Sequence, residues 1–202
     1  MDKNINDILE EIDFIKSVYE KLILELPNFK ITDESLLPYG LKPHTRSVSW
    51  LVEQVINQQS KIRAKQLGVL DVDFDLPDTC LHDCIITDLS GRKHFVNIKV
   101  HNADGHDTRN DIAAVEKLYK EYISNDDYNV FYVCFGIRFD NVNILFDRQY
   151  LEVFSVQFLP IYVNPRNDKI QALYKHVPEY RNREDFLKLL EEHSTSIVLN
   201  RT

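Results

Sequence analysis

The sequence predicts an α/β (α+β) fold, a mixed central β-sheet flanked by helices, and three observations carry that expectation. Residues 3–26 repeat apolar positions at helical spacing: Ile5, Ile8, Leu9, Ile12, Ile15, Val18, Tyr19 and Leu22. Residues 81–100 read as a β-hairpin, an apolar strand followed by a Ser90-Gly91 turn and an alternating return strand. Residues 128–137 form a nearly continuous apolar run of strand length, the pattern of a strand covered on both faces.

The remaining elements follow from local signals. Pro27 stops the first helix, and a polar connection leads to Pro43. A second helix is expected over 45–60, with Val48, Leu51, Val52, Val55 and Ile56 as its apolar stripe and Glu53 near the edge of that stripe. Residues 67–76 alternate like a strand whose outward face is Asp71, Asp73 and Asp75. After Lys99 comes a polar loop containing His101, His106 and Asp107, and Thr108 is placed to cap a helix running to about Ser124. Further strands are expected at 142–146, 161–163 and 170–173, and Asn182 is placed to cap a last helix over 183–193. Trp50 and the strand aromatics are read as core. With no repeat, low-complexity tract or linker, one domain over 1–202 is the economical division: residues 1–42 an N-terminal helical segment, 43–193 the core.

Bulk composition narrows the function classes. The chain is 44% hydrophobic and 28% charged, as expected of a globular domain, and no apolar run approaches the length of a membrane span. Its acidic, amphipathic start is unlike a signal peptide. Cys80, Cys84 and Cys134 fit neither an even disulfide framework nor a paired zinc pattern, so a cytoplasmic location is expected. A formal charge of −8 argues against a general nucleic-acid binder, but leaves room for a locally basic cleft lined with metal-binding acids.

The chemistry concentrates in the hairpin. Side chains alternate along a strand, so Phe95, Asn97 and Lys99 share one face while Val96, Ile98 and Val100 share the other. Asp83 stands at the start of the opposing strand. A carboxylate facing a lysine and a polar neighbour across a hairpin suits a hydrated Mg²⁺, which prefers oxygen ligands and keeps several waters. The alternative reading is a plain antiparallel pair with a solvated Lys99. The loop residues His101, His106 and Asp107 lack the spacing of a metal site and are read as a polar loop.

This arrangement resembles the PD-(D/E)xK nuclease core, and the element order, helix with an acid, hairpin, loop, helix, buried strand, resembles its type II restriction endonucleases. The likeness is greatest to the blunt-cutting branch typified by EcoRV, HincII and SwaI. Lys42-Pro43-His44-Thr45-Arg46 leading into Trp50–Val55 resembles the entry to that branch's early helix. Asn164-Pro165-Arg166, the strand with Gln171, and Arg181–Phe186 resemble its closing block. The resemblance implies a restriction-endonuclease-like core and a Mg²⁺-dependent, site-specific endonuclease for double-stranded DNA, working as a homodimer through residues 1–42. It implies catalytic roles for Asp83, Asn97, Lys99 and Glu53, with Asp83 and Asn97 on the metal. DNA contacts would come from Asn102, His106, Thr108, Arg109 and Asn110, and from Asn164, Arg166 and Gln171.

Asn97 departs from the pattern, which has Asp or Glu at that place. An amide keeps an oxygen ligand but loses a charge worth roughly 4 kcal/mol toward a cation at about 4 Å. Three explanations stand. The acid has moved, to Glu53, Asp78, Asp111 or Glu116; an aspartate was replaced to inactivate the enzyme; or the chain is a non-cleaving relative. A structure-specific repair nuclease and a non-enzymatic DNA-binding or interaction module are the alternatives to a restriction enzyme.

Overall fold

The computed structural model describes residues 4–42, 44–77, 79–105, 110–172 and 176–194. The expectations for Asp78, His106, Asp107, Thr108 and Arg109 lie outside the described residues, as does the side chain of Asn110.

Helix α1 spans Ile5–Glu25. Asn4 and Asp7 cap it reciprocally, the side chain of each accepting the backbone N–H of the other. Its buried face includes Ile8, Ile15, Val18, Tyr19 and Leu22. Strand β1 (Phe29–Lys30), a 3₁₀ turn (Thr45–Ser47), α2 (Ser49–Ile62) and α3 (Ala64–Leu67) follow. Then come β2 (Val69–Asp73), β3 (Cys84–Asp88), β4 (Lys93–Asn102) and β5 (Asn110–Ala114). The chain continues through α4 (Val115–Ser124), β6 (Val130–Asp140), β7 (Asn143–Ser155), β8 (Val163–Asn164), β9 (Lys169–Ala172) and α5 (Arg183–Glu192).

Six strands form one mixed sheet in the order β1-β7-β6-β4-β3-β2, with β4 and β6 parallel at its centre and the other neighbours antiparallel. The parallel pair needs a crossover, which β5 and α4 supply. One face of the sheet, including Val96, Ile98, Val100, Val133 and Phe135, packs with α1, α2 and α3 in one core. The opposite face, including Val130 and Tyr132 with half-buried Phe95, packs with α4 and α5 in a second. A smaller sheet, β5-β9-β8, adjoins that second core through Ile170. Among the described residues no helix is long and apolar enough to cross a membrane.

The β3–β4 hairpin turns where the sequence predicts, at Ser90-Gly91. Gly91 takes φ +88°, and Asp88 accepts the backbone N–H groups of Ser90 (2.8 Å) and Arg92 (3.0 Å). Buried Glu11 of α1 pairs with Arg92 and lies 3.8 Å from His94, whose other nitrogen meets Asp88 at 3.3 Å. These contacts tie the helix to the hairpin.

Four expectations need correction. The segment read as the start of a helix is β5, because its backbone pairs with β9: Asn110 opposite Ala172 and Asp111 opposite Gln171. The strand expected over 142–146 runs on to Ser155, bonded to β6 across a register shift. Ile85, expected to be buried as part of a strand covered on both faces, is half-buried, while its neighbours Cys84 and Ile86 point into the core. Trp50 is 71% exposed.

The closing segment is anchored by Arg183. This buried side chain donates to the carbonyls of Tyr128 and Asn125 at 2.7 Å each, and to that of Tyr122, with its guanidinium 4.8 Å from the Tyr122 ring. It thereby satisfies carbonyls at the end of α4 and the approach to β6. Arg183→Ala would strand them, and urea unfolding is expected to show a loss of about 2–4 kcal/mol.

Candidate active site

The site is built on β4. Its antiparallel pairing with β3 ends at Cys84 opposite Val96, and Asp83 then continues the attachment by other means. The Asp83 backbone N–H donates to the Val96 carbonyl (2.8 Å), and its carboxylate Oδ2 accepts the Ile98 N–H (2.7 Å). A side chain therefore takes the place of strand backbone, and the carboxylate is held on β4 between Asn97 and Lys99.

Asn97 fastens the same segment from the other direction. Its Nδ2 donates to the Leu81 carbonyl (2.9 Å), which fixes the amide orientation because only the N–H end can face a carbonyl. The side chain is buried, and among the described residues its Oδ1 is a buried acceptor without a hydrogen-bond partner. Orphaned buried acceptors are uncommon and point to an absent donor or cation.

Lys99 is half-buried on the same face, with Nζ 5.5 Å from the centroid of the Tyr132 ring. Tyr132 is the β6 partner of Asn97 in the parallel register and stacks on Phe154 at 5.7 Å with an interplanar angle of 10°. A rigid aromatic surface thus lies beside the ammonium. Nothing in the apolar run of β6 singles out Tyr132, since its role depends on strand register.

Glu53 comes from α2, and its titration is coupled to the hairpin groups. Burial raises the Glu53 carboxyl above its ordinary range; the Lys99 charge opposes that shift and the Asp83 charge adds to it. Burial likewise raises Asp83, opposed by Lys99 and by the Ile98 N–H. One ammonium thus acts on two partly desolvated carboxylates, and Glu53, Asp83 and Lys99 form one electrostatic unit.

The other candidates for a displaced acid are engaged elsewhere. Asp111 lies on β5, where it accepts from Asn167 Nδ2 (2.7 Å) and Gln171 Nε2 (3.0 Å). Glu116 pairs with Lys120 at 2.7 Å on α4. Among the residues expected near DNA, Asn102 accepts from the Asp104 N–H in a turn, and Asn164 from the Arg166 N–H. Asn167 and Gln171 thus brace one carboxylate on the small sheet, with Arg166 exposed nearby. His101 is buried at the end of β4, 3.4 Å from the Tyr150 hydroxyl.

The donor set fits a hard, oxygen-seeking cation: the Asp83 and Glu53 carboxylates and the orphaned Asn97 amide oxygen. Among the described residues no three His, Cys, Asp or Glu side chains are grouped to hold a metal, so any such site depends on the amide.

No family model matches the chain, and no curated protein matches it. Among solved structures the chain is similar to NlaIV restriction endonuclease, with a TM-score of 0.50 and 17% identity. That match covers 71% of this chain and 64% of the other, less than two thirds of that endonuclease. The fold is restriction-endonuclease-like. At this identity the likeness concerns the fold, and it does not extend to the blunt-cutting branch.

Two predictions follow from this geometry. Asn97→Asp would set a carboxylate oxygen against the Leu81 carbonyl in place of an N–H, and thermal or urea unfolding in EDTA is expected to show a loss of about 1–3 kcal/mol. The second concerns pH. Because the folded-state pKa values of Asp83 and Glu53 are raised, their contribution to stability is present below the ordinary carboxylate range and is lost as pH rises through the raised values. Asp83→Asn and Glu53→Gln should therefore unfold at higher temperature than the parent at pH 7, with the gain disappearing in acid; equal gains at both pH values would contradict the assignment.

Proposed function

We propose that the chain is a divalent-cation-dependent endonuclease acting on double-stranded DNA, a site-specific restriction enzyme in its finer description. The observation that carries this reading is the Asp83 carboxylate bonded to the Ile98 N–H at 2.7 Å, between Asn97 and Lys99 on the central strand of a restriction-endonuclease-like fold.

Asp83, Asn97 Oδ1 and Glu53 would hold the cation, for which Mg²⁺ is the natural choice given oxygen ligands throughout. When bound, Mg²⁺ supplies water activation and polarisation of the phosphoryl oxygens. The protein's own groups supply the rest. Lys99, beside Tyr132, orients the attacking water and offsets negative charge that develops on the phosphate. Asp83 is already fixed by a backbone N–H, so ligand placement needs no rearrangement of β4. Glu53 provides the second negative charge that Asn97 lacks, which makes a displaced acid the preferred explanation of the asparagine.

Several features belong to this reading as proposals: cytoplasmic action, a homodimer formed through residues 1–42 that matches the two-fold symmetry of a palindromic site, and DNA contacts from Asn102, His106, Thr108, Arg109, Asn110, Asn164, Arg166 and Gln171. The bracing of Asp111 by Gln171 gives that residue a structural part besides any contact with DNA.

The test is incubation of plasmid and phage DNA with the protein in Mg²⁺ and in Mn²⁺, beside Lys99→Ala. Discrete fragments are expected from the parent, and about a hundredfold slower cleavage from Lys99→Ala with DNA binding retained. Cleavage by Lys99→Ala within about tenfold of the parent, roughly 1.4 kcal/mol of barrier, would remove the lysine from the mechanism. Tight duplex binding without cleavage in either metal would make the protein a non-cleaving DNA binder, and nicking confined to junctions or flaps would make it a repair nuclease.

A further inference from the structure

Trp50 is the chain's single tryptophan, and 71% of it is exposed. It lies on α2 three residues before Glu53, adjacent to it on the helix surface and about 4.5 Å away along the axis. Helix α2 packs on β4, the strand that carries Asn97 and Lys99, with Val52 and Ile56 in one core with Val96, Ile98 and Val100. An exposed indole therefore stands one turn from the candidate site, where a large apolar surface in water has no role in the core.

The charge around it is distinctive. Residues 36–52 contain no Asp or Glu in a chain of net charge −8. The same stretch holds Lys42, His44 and Arg46, all exposed, and among the described residues neither Lys42 nor Arg46 makes an ion pair. Other exposed apolar side chains in the stretch are Leu36 at 71% and Tyr39 at 101%. A cation-bearing segment without acids that leads into the helix of Trp50 and Glu53 matches a polyanion that also presents flat apolar faces, and DNA is such a partner.

We infer that Trp50 is a DNA contact: its indole packs against the sugar–base surface of the strand next to the bond at the site, while Arg46 and Lys42 meet the flanking phosphates. This inference rests on the endonuclease reading for the location of the bound strand. The role is binding and placement of the strand, distinct from the chemistry at Lys99.

Because the chain has one tryptophan, its emission reports this residue alone. Two titrations of the intact protein, in EDTA and in Ca²⁺, test the inference. One follows the anisotropy of a fluorescein-labelled duplex of mixed sequence with the parent, Trp50→Ala and Trp50→Phe. The other follows tryptophan emission of the parent as unlabelled duplex is added. The expected result is a change in emission with the same midpoint as the anisotropy, about tenfold weaker binding by Trp50→Ala, and most of the affinity kept by Trp50→Phe. Thermal unfolding of Trp50→Ala should match the parent, since an exposed indole is removed.

Duplex binding that leaves the emission unmoved, or a Trp50→Ala form that binds as tightly as the parent, overturns the inference and leaves the endonuclease reading standing. Heparin, which has charge but no bases, separates a polyanion patch from a DNA contact. Equal emission change and equal loss with heparin overturn the inference in favour of the patch. Absence of duplex binding in both EDTA and Ca²⁺ ends both readings.

Discussion

The hydrogen bond from the Ile98 N–H to the Asp83 carboxylate is the interaction on which the site depends. It ends the β3–β4 ladder with a side chain instead of a strand, so an acid is set against the central strand at a position where backbone would otherwise continue. The arrangement is costly, because burial disfavours the charged form of the Asp83 carboxyl and raises it above the ordinary carboxylate range. A single N–H and one ammonium offset part of that cost. A carboxylate set where burial disfavours its charge contributes little to stability, which is what the proposed ligand role of Asp83 requires.

Asn97 acquires a physical reason in the same setting. Its N–H end is spent on the Leu81 carbonyl, and Leu81 belongs to the segment that delivers Asp83. An aspartate at this position would add a third carboxylate to a region that already holds Asp83 and Glu53 against Lys99, and would face Leu81 with the wrong polarity. The asparagine thus limits like-charge repulsion and keeps the Leu81–Asp83 segment in place, while its Oδ1 is left as a neutral acceptor. An amide that both fastens the segment and leaves an acceptor free is better described as part of the site than as damage to it.

How much of this was legible in the sequence varies by element, for identifiable reasons. The hairpin and the alternation of β4 follow from local pattern, and the structure places Val96, Ile98 and Val100 in one core and Phe95 on the other side as the period of two requires. The proximity of Glu53 to the hairpin follows from its place at the edge of the α2 stripe. The strand β5 is hidden in the sequence because Val115, Leu118, Tyr119 and Tyr122 repeat at helical spacing directly after it; its pairing with β9, some sixty residues away, is a non-local fact. Trp50 is ambiguous for a different reason. Two residues from both Val48 and Val52, it lies about 160° around the helix from each of these valines, so the valine spacing points it outward while its residue type alone suggests core. The roles of Tyr132 beside Lys99 and of the Leu81 carbonyl required register and loop geometry that no local signal encodes.

The acidity of the chain and its fold are compatible because charge is distributed unevenly at short range. At physiological ionic strength the screening length is about 8 Å, so a phosphate at the surface responds to groups within one or two side-chain lengths rather than to the net charge of −8. The acids of β2 illustrate this. Asp71 and Asp73 lie on an exposed strand at the sheet edge, Asp71 is met by Lys61 at 3.8 Å, and charged side chains on such an edge discourage pairing with another chain. Their charge belongs to that edge. The segment entering α2 has the opposite character, with cations and apolar side chains and no acid before Glu53. Glu53 therefore stands where a cation-bearing segment ends, and on the proposed endonuclease reading such a distribution would bring a polyanion to the carboxylates without requiring a basic protein.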